Sequence, residues 1–494
     1  MRIDGGWSKM KNIISLVIEG TYPYVSGGVA TWIHQIISKL PEFDFYLIVL
    51  LAKREDAKTM KYTLPDNVKG IYHIFLQEYP ERPIFFPRKL KGRKLIEKWL
   101  NNFSYESFVD IVKFYYYIKN KNRIIVESLY SKESFLIQEK IYKMLKTEAS
   151  FINFFWNLRS LIINVLNVFA ANPEICKVVH TISTGFAGLL ASILKIANTE
   201  VSMLLTEHGI YTRERDIEIS VGVWPDTDPD NYRPDEGLGA FKEMWRESFF
   251  YFSKICYYTA DKIITLNEKN RAIEIEQGAA PEKTMVIRNG INLSKYRFRH
   301  RKRMSAPPVI GFLGRIVKIK DVKTLIRAAK IVIQKRPGTI FKIAGPYDED
   351  PEYFEECRQL VKMLLMEDNV KFLGRVDAVS FFEEIDLLLL TSISEGQPLV
   401  IAEAASCGVP SVATDVGGCR EMLYGGGDDK LGKSGLIAEQ ANTNDIANAI
   451  LRFIYDNEFY SKCSIIGRER VEKFYNEEHL IKKYREIYSA YLTC

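Results

Sequence analysis

Two separate series of short β-branched runs alternating with helical patterns constrain this chain more than any other feature. IISLVIEG at 13–20 has the character of a buried strand. Helical spacing follows over about 29–40, and FDFYLIVL at 43–50 is the next strand. Strand, helix, strand in that order predicts a parallel sheet with helices on its faces. The rhythm resumes with KVVHTIS at 177–183, a helix over about 185–197, VSMLLTEHG at 201–209, an aromatic-rich helix over 245–258, DKIITLN at 261–267 and TMVIRNG at 284–290. A second series runs from 309: VIGFLG, a helix on DVKTLIRAAKIVIQK, TIFKIAG, a helix over about 353–365, VKFLG, a short helix, DLLLLTS, a helix from Pro398, and PSVATD.

Between the two series, SKYRFRHRKRMSAPP at 294–308 is basic, ends in two prolines and has no apolar period, as an exposed linker would. The sequence therefore predicts an α/β chain with a first domain over 1–293, a linker over 294–308 and a second domain over 309–470. The stretch 51–171 loses the βαβ rhythm and is expected to be a mainly helical insertion. Residues 471–494 carry helical apolar spacing and form a last helix that can return to the first domain.

Composition removes several classes. The net charge is only +6, from 68 Lys+Arg and 62 Asp+Glu, with no basic tail, so no nucleic-acid partner is expected. Seven cysteines are scattered and never form CxxC, which argues against a zinc site or a disulfide framework and for a reduced, cytoplasmic compartment. The opening MRIDGGWSKMKN has no apolar core of the secretory type. Residues 151–171 are the best candidate for a span, but four asparagines and Arg159 interrupt them, whereas a spanning helix needs about 20 mostly apolar residues. They read as an amphipathic helix packed on protein, with a surface or partner contact as the alternative. FPRKLKGRKLIEKW at 86–99 is a solvated basic face or, in the other reading, a contact for anionic lipid or a partner.

Ligands of doubly wound sheets bind beyond the carboxyl ends of the strands, so loops that follow strands carry the candidates. In SISEGQPLVIAEAASCGVPSVATDVGG at 392–418, Glu395 closes such a loop and Pro398 suits the first turn of a helix. The backbone N–H groups of Leu399 and Val400 then stand at a helix N-terminus, which attracts phosphate. Glu403, about five residues into that helix and so roughly 7–8 Å along it, can accept two hydrogen bonds from a ribose diol. Against this stand a capping role for Glu395 and a solvated one for Glu403. In GFLGRIVKIKD at 311–321, Arg315 and Lys320 can clamp a diphosphate and Asp321 is a good N-cap; a solvated basic loop is the plainer reading. Gly27 and Gly28 allow close backbone approach or simply form a turn, and neither GxGxxG nor GxxxxGK[ST] occurs. His180 and His208 fall at strand ends, with His208 the stronger candidate. Asp226, Asp228 and Asp230, in WPDTDPDNYRPDEG, could hold a divalent cation but read better as a solvated acidic loop, so no metal is expected.

ISEGQPLVIAEAASCGVPSVATDVGG resembles the E-x7-E region of retaining glycosyltransferases of family 4, with Glu395 and Glu403 in register. GFLGRIVKIKDVKTLI is similar to that family's phosphate-clamp segment, and residues 260–292 to its interdomain region. IEGTYPYVSGGVATWIHQ at 18–35 and LLTEHGIYTRERDIEI at 204–219 resemble the PelF branch, whose members help to make the Pel exopolysaccharide of bacterial biofilms. The resemblance implies the GT-B fold, two Rossmann-like domains facing across a cleft, and a UDP-sugar donor held mainly by the second domain. It implies Arg315 and Lys320 at the diphosphate, Glu403 at the ribose, Glu395 and His208 at the sugar, Arg375 and Val376 beside the base, and Gly27 and Gly28 near the phosphates. It further implies a metal-independent retaining reaction with no cofactor beyond the donor, a polysaccharide acceptor, and inner-membrane synthase and export proteins as partners, which would place the chain in the cytoplasm or at the inner face of that membrane.

Three readings remain open at the level of sequence. One is a hexosyl- or N-acetylhexosaminyltransferase extending a polysaccharide. Another is a non-catalytic nucleotide-sugar-binding scaffold of a synthase complex. The third is a GT-B enzyme acting on a small soluble acceptor. The missing glycine fingerprint disfavours an NAD dehydrogenase.

Overall fold

The computed structural model describes residues 13–116, 118, 121–145, 150–221 and 238–493. The acidic loop with Asp226, Asp228 and Asp230 lies outside the described residues. The chain forms two compact units. The first comprises the chain up to Ile264, Ile273–Met285 and the residues from Tyr484 onward; the second comprises Thr265–Ala272 and Val286–Lys483.

The first sheet contains β1 (Ile13–Glu19), β2 (Asp44–Leu51), β3 (Val68–Phe75), β4 (Val178–Thr181), β5 (Ser202–Glu207), β6 (Lys262–Thr265) and β7 (Thr284–Val286), in the order β3-β2-β1-β4-β5-β6-β7. Pairing is parallel from β3 through β5. Ile14 sits between Phe45 and Val178, so β1 is central. A central parallel strand is covered on both faces, which is why IISLVIE is apolar without alternation. The helix Phe186–Ala197 has nine consecutive buried residues, 186–194, and is accordingly apolar all round.

The stretch 51–171 is not wholly an insertion. It supplies β3, which pairs in parallel with β2, before five helices: Arg93–Asn102, Tyr105–Tyr116, Lys121–Tyr130, Lys132–Leu145 and Phe151–Ala170. As the edge strand β3 is only half covered, and Lys69 and Gly70 break its apolar run. In the helix Phe151–Ala170 the mid-helix Arg159 is buried. Its guanidinium donates to the Leu129 carbonyl at 2.7 Å and lies 4.6 Å from the Tyr130 ring centroid, which satisfies the charge within protein. Among the described residues no helix is long and apolar enough to cross a membrane.

The second sheet contains β8 (Val309–Leu313), β9 (Ile340–Ala344), β10 (Val370–Gly374), β11 (Leu387–Leu390), β12 (Ser411–Thr414) and β13 (Gly435–Ala438). Its order is β10-β9-β8-β11-β12-β13, parallel throughout. Counting from its own first strand, this is 3-2-1-4-5-6, the doubly wound arrangement. β13 is absent from the sequence-based expectation because its four residues follow a glycine-rich loop.

Residues 294–308 are irregular, as expected, but they are not a free linker. Arg301 donates to the carbonyls of Ile385 and Phe382, both at 2.7 Å, Ser305 donates to Asp386 at 2.5 Å, and Met304 is buried. The last helix also differs from the 471–494 expectation. Residues 471–474 end the preceding helix Asn457–Phe474, and a new helix, Glu477–Thr493, starts after Asn476. Asn476 breaks the run by accepting from the Glu478 backbone N–H and by bridging to Ile291.

Candidate functional site

In the second unit the loops beyond β8, β9, β10 and β11 meet at the carboxyl end of the sheet. The loop after β8 turns through a short 3₁₀ segment, Lys318–Lys320, into the helix Val322–Lys335. Asp321, at φ 45°, caps that helix by accepting from the Thr324 backbone N–H. Thr391, after β11, donates its hydroxyl to the Lys320 and Asp321 carbonyls.

Lys320 Nζ donates to Glu395 Oε1 at 2.6 Å, and Ser392 donates to the same oxygen at 2.6 Å. Both ionised groups are largely withdrawn from water, with 19% and 11% of their side chains exposed. Glu395 is therefore not a helix cap. Arg315 donates to Glu349 at 2.6 Å, and Arg375 donates to both oxygens of Asp348 at 3.0 and 3.1 Å. Arg315, Arg375, Asp348 and Glu349 are all exposed. Two neighbouring acids on the loop after β9 thus gather one arginine from each flanking loop. The run GPYDED carries these acids, but nothing in its spacing identifies their partners.

The Glu395 loop is braced from several directions. Gln397 accepts from the Asn289 backbone N–H and donates to the Asn289 carbonyl, both at 2.9 Å. Gly418 N–H and the Asn267 amide donate to the Gly396 carbonyl at 2.8 and 3.3 Å. Gly417 has φ +49°, and a Cβ there would stand 1.8 Å from the Glu395 carbonyl oxygen. Gly417→Ala is therefore expected to push the loop out of place and to lower stability by about 1–3 kcal/mol. A lower melting midpoint together with a changed response to nucleotide checks it.

Leu399 and Val400 open the helix Leu399–Ser406, whose N-cap is Pro398, and their side chains pack on the core of the unit. Glu403, four residues on, shares a hydrogen bond with the Tyr296 hydroxyl. Burial raises its carboxyl pKa, against the opposing pull of Tyr296 and Lys295. Glu403 is thus not a solvated helix residue. Val376 packs against the same core.

In the first unit, Gly27 and Gly28 are exposed, and a Cβ on either would meet nothing within 4 Å. Their own packing does not require glycine. His208 follows β5 directly, and its ring lies 4.6 Å, edge-on, from that of Trp32. His180 is instead inside β4 and locked by its partners. Its Nδ1 and Nε2 each lie 2.8 Å from a hydroxyl, of Tyr488 and Thr206 respectively, and Thr206 bonds Tyr484 at 2.8 Å. Burial lowers the pKa of both histidines to about 3, so both are neutral near pH 7. Glu207 takes hydrogen bonds from Tyr257, the Tyr211 N–H and Thr184, and burial raises its pKa to about 7.

These values set a pH dependence. Below their ordinary pKa the histidines of the unfolded chain take up protons that the folded ones refuse, so their contribution is full above pH 6.5 and falls towards pH 3. Glu207 acts oppositely, since its folded form keeps a proton between pH 4.5 and about 7 that the unfolded chain releases. Two histidines outweigh one carboxylate. From pH 4.5 to 6.5 the three groups together are expected to add about 1.4 kcal/mol of stability per pH unit. Denaturant unfolding across that range tests this, and His208→Gln should remove one histidine's share of the slope.

Among the described residues, no group of three or more His, Cys, Asp or Glu could hold a metal ion. The six cysteines among the described residues are free thiols.

Comparison with known proteins adds the following. The family described as Domain of unknown function (DUF3492) matches residues 12–282, and the family Glycosyl transferases group 1 matches residues 295–470. N-acetyl-alpha-D-glucosaminyl L-malate synthase of Bacillus anthracis is 33% identical over 173 residues, which are 35% of this chain and 42% of that protein. The capsular polysaccharide biosynthesis glycosyltransferase CapM of Staphylococcus aureus is 25% identical over 256 residues, 49% of this chain and 65% of that protein. The chain thus spans roughly half the length of the curated relatives it matches. Among solved structures, sucrose-phosphate synthase from Thermosynechococcus elongatus superposes with a TM-score of 0.58 at 18% identity, over 97% of this chain and 100% of that one. Anabaena HepE in complex with UDP and glucose gives 0.57 at 15% identity, over 97% and 99%.

Proposed function

The chain belongs to the family described as Domain of unknown function (DUF3492), its residues 295–470 are a glycosyl transferases group 1 segment and its fold is GT-B, and from that premise we propose that it is a retaining glycosyltransferase. It moves a hexosyl or N-acetylhexosaminyl unit from a UDP-sugar to a growing polysaccharide, in a Pel-like exopolysaccharide pathway, alongside inner-membrane synthase and export proteins. The observation that carries the reading is the gathering of Arg315, Lys320, Arg375 and Glu395 on three loops at the carboxyl end of one doubly wound sheet.

The roles proposed are those that the family resemblance implies. Arg315 and Lys320 bind the diphosphate and offset the negative charge that grows on it as the glycosidic bond to the anomeric carbon breaks. The N–H groups of Leu399 and Val400 add donors from a helix N-terminus. Glu403 holds the ribose diol, Arg375 and Val376 flank the base, and Glu395, fixed by Lys320 and Ser392, meets the sugar. His208, neutral near pH 7, can hydrogen-bond a sugar hydroxyl, and Gly27 and Gly28 leave room for phosphate. The acceptor hydroxyl bonds to the anomeric carbon on the face the diphosphate leaves, and its proton passes to the departing diphosphate oxygen. No metal takes part, so transfer persists in a chelator. The UDP and glucose seen with HepE support a uridine donor.

Thermal-shift titration with UDP, GDP and ADP tests the donor site. UDP at 100 times its dissociation constant should add about 2.7 kcal/mol of stability, and Arg315→Ala and Glu403→Ala should abolish most of the shift. If no nucleotide raises the midpoint, the donor assignment fails.

A further inference from the structure

We propose that the segment 82–94 of the first unit, with the exposed edge of the helix Phe151–Ala170, docks on the surface of an anionic lipid bilayer. The segment reads RPIFFPRKLKGRK, with six cations and no acid in thirteen residues. Ile84 and Phe85 are 91% and 87% exposed, about as much as a side chain can be in a folded protein. Pro83 and Pro87 bracket them and stiffen the tip.

The backbone behind this tip is tied down. Leu90 N–H donates to Glu133 at 2.7 Å, Lys91 N–H to Glu127 at 3.1 Å, and Lys132 N–H to the Pro87 carbonyl at 3.1 Å. Tyr115 donates to the Lys91 carbonyl at 2.5 Å. Glu127 and Glu133 are thus engaged with backbone N–H groups beneath the loop, while Arg82, Arg88, Lys89, Lys91 and Lys94 face water beside one exposed acid, Glu81.

The tip is continuous with a second apolar edge. Phe86 meets the Tyr130 ring at 6.2 Å, and Arg159 lies over both Tyr130 and Trp156, at 4.6 and 5.9 Å. Trp156 and Ile152 on that helix are 58% and 67% exposed. Projecting aromatic and aliphatic side chains among lysines and arginines suit the acyl–headgroup boundary, where apolar groups enter and cations meet phosphate. A protein partner fits less well, because protein interfaces are depleted in lysine.

Vesicle co-sedimentation of the full chain provides the test, with phosphatidylcholine alone and with phosphatidylcholine mixed with phosphatidylglycerol. The chain should sediment with the mixed vesicles only, and high salt should release it. Ile84→Ser/Phe85→Ser should reduce the bound fraction about tenfold or more, and Lys89→Gln/Lys91→Gln by a similar factor. Exposed positions can be changed without loss of the core, so the melting midpoint of each variant should match the parent. Absence of binding to either vesicle, or equal binding by the parent and the Ile84/Phe85 variant, overturns the proposal. So does a concentration-dependent dimer that the same substitutions dissociate while vesicles leave the chain in solution, since a second copy would then be the occupant.

Discussion

On the proposed function, Lys320→Ala is expected to lower sugar transfer about 10²–10³-fold, the loss that follows when one preorganised charge opposite a leaving group is removed. The same change leaves Glu395, 11% exposed, without its cation, so it also destabilises the second unit. The two effects separate in a double-mutant cycle. Lys320→Ala/Glu395→Gln removes both charges and should recover much of the melting midpoint while transfer stays low. If the double variant recovers stability and transfers as fast as Glu395→Gln alone, Lys320 acts only by neutralising Glu395, and its place at the diphosphate is wrong. Initial rates with a UDP-sugar, beside the melting curves of all four proteins, decide this.

The largest stability effect is expected at Arg470. It is 1% exposed and donates to Asp429, itself 3% exposed, at 2.5 Å. It also donates to Ser434 at 2.7 Å, to the Leu423 carbonyl at 3.0 Å and to the Gly432 carbonyl. Arg470→Ala abandons a buried carboxylate, two carbonyls and a hydroxyl at once, a cost of about 3–5 kcal/mol. At about 2–4 °C per kcal/mol for a unit of this size, the midpoint should fall by roughly 6–20 °C. Arg470→Met/Asp429→Leu replaces the ions with apolar groups and should recover most of the loss. A fall of less than a degree for Arg470→Ala would show that water reaches the pair.

The parts of the fold that were legible in the sequence share one property: their local pattern coincides with their environment. β1 and β2 are covered on both faces, so their apolar runs are unbroken. β3 sits at a sheet edge with mixed exposure, and β13 has only four residues, so neither leaves a local signature. At the candidate site, Arg315, Lys320 and Glu395 stood out because each lies in a loop after an apolar run. Asp348 and Glu349 did not, because their pairing with Arg375 and Arg315 depends on β9 lying between β8 and β10, which is topology rather than spacing. His180 and His208 look alike in sequence. Only the hydroxyls of Tyr488 and Thr206, distant along the chain, mark His180 as structural.

Those same hydroxyls bear on the order in which the protein can mature. Tyr484 and Tyr488 belong to the first unit, and with Thr206 and His180 they complete a buried polar chain beneath its sheet. A ribosome delivers them after the strands of both sheets. Until they emerge, His180 Nδ1 lacks the Tyr488 hydroxyl and Thr206 has His180 but not Tyr484, and an unpaired buried polar group costs about 1–3 kcal/mol. The first unit, whose sheet is made first, is therefore completed only after the second unit's sheet, and a nascent chain halted there leaves His180 Nδ1 without the Tyr488 hydroxyl.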